Sequence, residues 1–183
     1  NTMKLLESLI ESLKKLEVKR IEDHVIKINK NINSINKRWN IYLKNNGTIN
    51  QDYIVICSGL NTQKLLKPLG HTILLEPILG QVIDLELDQK FINLNKWPAV
   101  LNYQSINFIP YNSKHLIMGA TLENGTEASS LHKEKMFYMN NTAPEWLKGA
   151  KLINEWSGIR ARPKREPAPL LKELEPGLLI NTG

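Results

Sequence analysis

The chain has 183 residues, 42% hydrophobic and 23% charged, with a formal net charge of +6 at pH 7. That is globular composition, enough for one sizeable core or two small ones, and no apolar run approaches the roughly 20 residues of a membrane span. The single cysteine, Cys57, excludes an internal disulfide, and with no signal peptide in view it fits a reducing, cytoplasmic compartment.

Leu5, Leu6, Leu9, Ile10, Leu13 and Leu16 recur at helical spacing among Lys and Glu, which predicts an amphipathic helix over about 3–17. "VKRIEDHVIKIN" reads as extended. "RWNIYL" alternates through Trp39, Ile41 and Leu43 as a half-buried strand does, and Asn45-Asn46-Gly47 supplies a hairpin turn. Residues 53–59, "YIVICSG", form a continuous apolar run ending in glycine, the pattern of a parallel strand buried on both faces. Cys57 in that run reads as a buried, inert thiol. A short helix is expected near 62–67.

The middle of the chain changes character. "ILGQVIDLEL", "INFIP" and "HLIMGAT" are short strands with turns between them, which suggests an antiparallel sheet. "EASSLHKEKMFYMNNT" predicts a helix capped by Ser129 or Ser130. "EWLKGAKLINEW" is mixed in pattern, and "PGLLINTG" is again an apolar strand ending in glycine. Two buried-looking strands, 53–59 and 178–183, therefore bracket an antiparallel middle. The expected class is α/β (α+β), one layer interrupted by a second domain.

The stretch 156–169, "WSGIRARPKREPAP", holds Arg160, Arg162, Lys164 and Arg165 within six residues, broken by Pro163, Pro167 and Pro169. Neither a helix nor a central strand runs through such a segment, so it is expected to be stiff and non-repetitive, presenting cations. A basic cluster raises nucleic acid as a partner, but no aromatics are interleaved with it and no helix-turn-helix pattern accompanies it. His24, His71, His115 and His132 are far apart and lack metal-ligand spacing, so no metal site is expected. Trp39, Trp97, Trp146 and Trp156 are read as core residues.

Four stretches taken in order carry a family likeness. "YIVICSGLNT", "EPILGQVIDLEL", "FIPYNSKHLIMGATLENG" and "EWSGIRARPKREPAPLL" followed by "GLLINTG" resemble the FAD-dependent D-amino acid oxidase family, and within it the glycine oxidases of thiamine biosynthesis. The resemblance implies a partial FAD-binding Rossmann-like layer, residues 1–66 and 158–183, interrupted by a mostly antiparallel substrate-binding domain, residues 67–157. It implies oxidative deamination of glycine or a small amino acid by hydride transfer from Cα to FAD. It places a carboxylate-gripping arginine at Arg160, after Gly158-Ile159, where a planar guanidinium can make two parallel bonds. It makes Val25 a candidate for the adenine end and Gly59, Gly80, Gln81 and Gly183 candidates beside the cofactor. Asn107 and Leu122 stand where family members carry tyrosine and methionine, which leaves glycine, sarcosine and small D-amino acids open as substrates. The family's G-x-G-x-x-G loop has no counterpart here, so the chain is expected to be an internal fragment, inactive and without FAD by itself. A dehydrogenase that passes electrons to a carrier and a homo-oligomeric state both stay open.

Overall fold

Ile28, Trp39 and Leu43 are the buried apolar side chains among the described residues of the first 53, and they organise that stretch. The computed structural model describes residues 2–32, 38–88, 94–97 and 99–183. It divides into two compact units, Asn1–Tyr53 and Ile54–Gly183.

In the first unit, helix α1 (Thr2–Lys15) precedes three strands, β1 (Val25–Lys30), β2 (Trp39–Leu43) and β3 (Thr48–Gln51). They form one antiparallel sheet in the order β1-β2-β3, with Ile28 opposite Ile41 and Tyr42 opposite Thr48. The expected hairpin turn is present. Gly47 takes φ +73°, a backbone conformation that glycine reaches without steric cost, and Asp23 accepts hydrogen bonds from the backbone N–H groups of Asn45 and Asn46 at 3.0 and 2.9 Å. The predicted helix forms, but none of its residues is buried.

The second unit contains two sheets. Strands β4 (Ile54–Ile56) and β12 (Leu178–Thr182) run parallel, and β11 (Leu170–Glu175) adds antiparallel to β12. The two apolar runs that bracket the middle are thus hydrogen-bonded neighbours. A short helix, α2 (Thr62–Leu66), comes after β4. The larger sheet is antiparallel, with β10 (Lys151–Pro163) at one edge, then β5 (Leu75–Glu86), β8 (His115–Gly119), β7 (Ile106–Pro110) and β6 (Leu101–Tyr103); a two-residue strand, β9 (Glu123–Asn124), pairs with β5. One face of this sheet buries Ile83, Leu85, Phe108, Leu116 and Met118 with Met136 of helix α3 (Ser130–Tyr138). Trp146 lies edge-on to Phe108 and Trp97 at 5.5 and 5.1 Å between ring centres. The molecule is therefore mixed α/β with predominantly antiparallel sheets.

Several sequence expectations need correction. The run 53–59 is not covered on both faces: Ile54 and Ile56 are buried, while Tyr53 and Val55 are 66% and 54% exposed. Cys57 is exposed, because by alternation it shares the uncovered side with Tyr53 and Val55. The stretch 156–169 is regular over its first half. Strand β10 runs through Trp156 to Pro163, tolerated because it is an edge strand and Pro163 is its last residue; only the part beyond it is a loop. Trp156, on that edge, is 45% exposed rather than core.

β10 carries one irregularity. Its pairing with β5 shifts between Leu152 and Asn154, so Ile153 is an extra residue; from Asn154 to Pro163 the pairing is one to one. Among the described residues no helix is long and apolar enough to cross a membrane, and no group of three or more His, Cys, Asp or Glu is placed to hold a metal ion.

Candidate functional site

The pairing of β5 with β10 decides which side chains share a face. Trp156 stands opposite Val82, Gly158 opposite Gly80 and Arg160 opposite Ile78. Cross-strand partners, and residues two apart along a strand, point to the same side of a sheet. The row through Val82 continues to Gly119 of β8 and Asn107 of β7. Arg160, Gly80, Gly119 and Asn107 therefore lie on the face opposite α3. The space above the two glycines is taken by neighbours, Arg160 over Gly80 and Val82 over Gly119.

Arg160 is laid across Gly80. A Cβ on Gly80 would come within 2.7 Å of Arg160 Nη2 and 3.2 Å of the Thr121 carbonyl oxygen. The same Nη2 donates to that carbonyl at 3.4 Å. No carboxylate pairs with Arg160 among the described residues, whereas Lys164 nearby is engaged by Glu76 at 2.8 Å. The guanidinium is thus held at one corner with its other donors uncommitted, the state needed to receive an anion.

Beside it lies a recess of about 310 Å³ lined by Cys57, Gly59, Arg160, Ala161, Asn181, Thr182 and Gly183. It opens at the carboxyl ends of the parallel strands β4 and β12, where open α/β sheets bind their ligands. Gly59 and Gly183 have φ of +56° and +118°, so both walls turn on bare backbone. The Thr182 hydroxyl is buried with no hydrogen-bond partner among the described residues. Three residues chosen from sequence, Gly59, Arg160 and Gly183, meet in this recess. A larger hollow of about 360 Å³, lined by Glu86, Asp88, Lys114 and Lys151 among others, sits at the far end of β5 and contains none of them.

The remaining candidates fall elsewhere. Asn107 is exposed and accepts from Asn102 Nδ2 at 2.9 Å. Leu122 is 70% exposed, one residue beyond the carbonyl that holds Arg160. Val25 belongs to the first unit, where it opens β1 opposite Leu43. Gln81 points to the other side of β5 from Arg160; its amide nitrogen donates to Glu123 Oε1 at 2.8 Å and to the Ser129 carbonyl at 2.7 Å.

Glu123 is a feature that sequence reasoning missed. Its carboxylate is only 3% exposed. Oε1 accepts from Gln81 and from the Thr121 hydroxyl, and Oε2 accepts from Ser129 N at 2.8 Å and lies 3.2 Å from His132 Nδ1. Burial pushes this carboxyl up, but the hydrogen bonds from Thr121, Gln81, Ser129 and His132 outweigh it and hold it down at about 2. The available signal was an acid two residues after Thr121, in "ATLENG", ahead of a helix start.

Residues 1–183 match the family model described as FAD dependent oxidoreductase. The chain belongs to this family of FAD-dependent oxidoreductases. It is 26% identical over 117 residues to a glycine oxidase of Pseudomonas putida, a match covering 62% of this chain and 31% of that protein. Its fold is similar to that of glycine oxidase from Bacillus cereus, with a TM-score of 0.69 at 22% identity, covering 88% of this chain and 44% of the other. It is similar again to an iminodiacetate oxidase from a Chelativorans species, with a TM-score of 0.70 at 23% identity, covering 88% and 43%. The chain spans less than half the length of each of these relatives.

The recess suits the family's cofactor. A flavin nucleotide needs close backbone approach at the carboxyl ends of parallel strands, and glycines at 59 and 183 permit it. Gly59, Asn181, Thr182 and Gly183 are the residues of the recess that could hold the cofactor's side.

Proposed function

We propose that this chain is the substrate-binding part, together with a share of the flavin-binding layer, of an oxidase that deaminates glycine or another small amino acid. In this reading residues 1–66 and 158–183 belong to the FAD-binding part and 67–157 to the substrate domain. Strand β10 crosses from one to the other, and so delivers Arg160 to the ends of β4 and β12. The observation that carries the proposal is Arg160 itself, a guanidinium with uncommitted donors on the rim of a glycine-walled recess in a chain of this family. The likeness to a glycine oxidase supports a small substrate; a place in thiamine biosynthesis is part of the same proposal. Catalysis in the cytoplasm completes the reading.

FAD, when bound, supplies the chemistry by accepting hydride from the substrate Cα. The chain's own task is orientation. Two parallel bonds from Arg160 fix the carboxylate, and with it the direction of the Cα–H bond, where alignment governs rate. If the amine arrives neutral, no strong protein base is needed. Asn107 and Leu122 border the open face and limit substrate size; Asn in place of a large ring leaves room beyond glycine. Gly59 would let the backbone approach the cofactor closely, with Gly80 and Gln81 where β5 passes the flavin; Val25 stays the candidate for the adenine end.

The test is made on the complete flavoenzyme with glycine and with methylamine, which lacks the carboxylate. Arg160→Ala is expected to cost roughly 3 kcal/mol in kcat/KM for glycine, mostly in KM, because the carboxylate is held in ground and transition states alike. Arg160→Lys should also fail, since a point charge cannot reproduce the fork. Methylamine, poor with the wild type, should lose little more in Arg160→Ala. Equal losses for both substrates would remove Arg160 from the carboxylate.

A further inference from the structure

We propose that Glu123 is a positioning residue for the substrate carboxylate: it immobilises Thr121, whose carbonyl holds the Arg160 guanidinium in register with an incoming α-amino acid. The inference rests on the reading of Arg160 as the carboxylate clamp.

Glu123 is almost wholly removed from water, and a charge so placed is tolerated only when its lone pairs are filled. They are filled by four groups from four positions: Gln81, Thr121, Ser129 and His132. Two of these ties converge on one residue pair. The Thr121 hydroxyl donates to Glu123 and, with its free lone pair, accepts from Gln81 N at 2.8 Å. Thr121 N in turn donates to the Gln81 carbonyl at 3.1 Å. Thr121 is therefore pinned through its hydroxyl and its N–H, and Gln81 through its backbone and its side chain.

This pinning leaves over the Thr121 carbonyl, and that carbonyl is the group which accepts from Arg160 Nη2. Gln81 is also the neighbour of Gly80, over which the guanidinium passes. So both protein surfaces that define the resting place of Arg160 are tied to a single carboxylate on the opposite face of the sheet. Oε2 ties the start of α3 through Ser129 N and His132, while Oε1 ties Thr121 and Gln81, the latter also donating to the Ser129 carbonyl.

The experiment uses the complete flavoenzyme and calorimetric titration with glycolate, a carboxylate that lacks the reactive amine. Thr121→Val removes the hydroxyl at constant volume and keeps the carbonyl; Glu123→Gln places an amide among donors. Both variants are expected to bind glycolate about five- to ten-fold more weakly, the range for coupled neighbours, and to raise KM for glycine while kcat/KM for methylamine holds. The same substitutions made in the Arg160→Ala protein should then have no further effect on glycolate. A loss of equal size in that background, or normal glycolate affinity in Thr121→Val, overturns the inference. Normal glycolate affinity in Arg160→Ala alone overturns instead the clamp reading on which it rests. Should Glu123→Gln not fold, Thr121→Val, which leaves the carboxylate with its other donors, decides the matter.

Discussion

Gly80 has space for a hydrogen on the Arg160 side of β5 and for little else. The atom an added methyl meets first, Arg160 Nη2 at 2.7 Å, is the end of a flexible side chain; the next, the Thr121 carbonyl at 3.2 Å, is backbone. The guanidinium yields before the strand does. Gly80→Ala should therefore raise KM for glycine by about ten-fold through misplacement of Arg160, with a stability loss of only about 1 kcal/mol, read by steady-state kinetics and urea unfolding. Gly158→Ala, where a Cβ meets no atom within 4 Å, should leave stability unchanged. Glu123 offers a pH test. Its folded value of about 2 lies below the ordinary 4.5, so the stability it contributes is complete above about pH 4.5 and drains away as pH falls toward 2. Urea unfolding at pH 6 should separate wild type from Glu123→Gln, and the gap should narrow at pH 3; a constant gap would mean that the charge is not what stabilises. Arg160 was singled out in sequence because Gly158 and Ile159 stand beside it in the chain. Glu123 was not, because the Gln81 that explains it lies 42 residues away, a separation that only the pairing of β5 with β9 closes.

Elements were legible where one face alone decides them. The alternation of Trp39, Ile41 and Leu43 and the turn at Asn45–Gly47 appear as strand and hairpin. The run at 53–59 misled because an apolar run reports attraction to a core but not how many faces that core covers. The prolines misled for a related reason: the rule against them applies to central strands, and sequence does not reveal that β10 is an edge. Helix α3 shows the local rule working. Ser129 has extended backbone, φ −97° and ψ 122°, and its hydroxyl accepts from His132 N. Ser129→Ala should cost about 1 kcal/mol in urea unfolding. Leu85→Ala, in the core under α3 and 0% exposed, should cost about 2–5 kcal/mol in the same measurement.

Over the whole molecule, the parallel pairing of β4 with β12 joins residues 54–56 to 178–180 around the antiparallel sheet. That closure was legible from two apolar runs ending in glycine; the division after Tyr53 was not, since nothing in composition marks it. The net charge of +6 invites a nucleic-acid partner, yet Lys164 is spent on Glu76 and Arg160 is laid toward Thr121. Filter retention of a duplex oligonucleotide should be weak and lost by roughly 0.2 M salt; retention that survives would point to a dedicated phosphate surface. The extra residue at Ile153 bears on how this chain can change length. From Asn154 onward each residue of β10 is matched to one of β5. One residue inserted between Asn154 and Arg160 would turn the guanidinium onto the helix-covered face. Two would restore the face but carry it about 7 Å along the strand, away from Gly80. Ahead of Ile153 the irregular pairing can absorb a residue while the matched stretch from Asn154 keeps its register. Homologous chains should accordingly gain and lose residues before 153 and after 163, and keep the count from 154 to 160 constant.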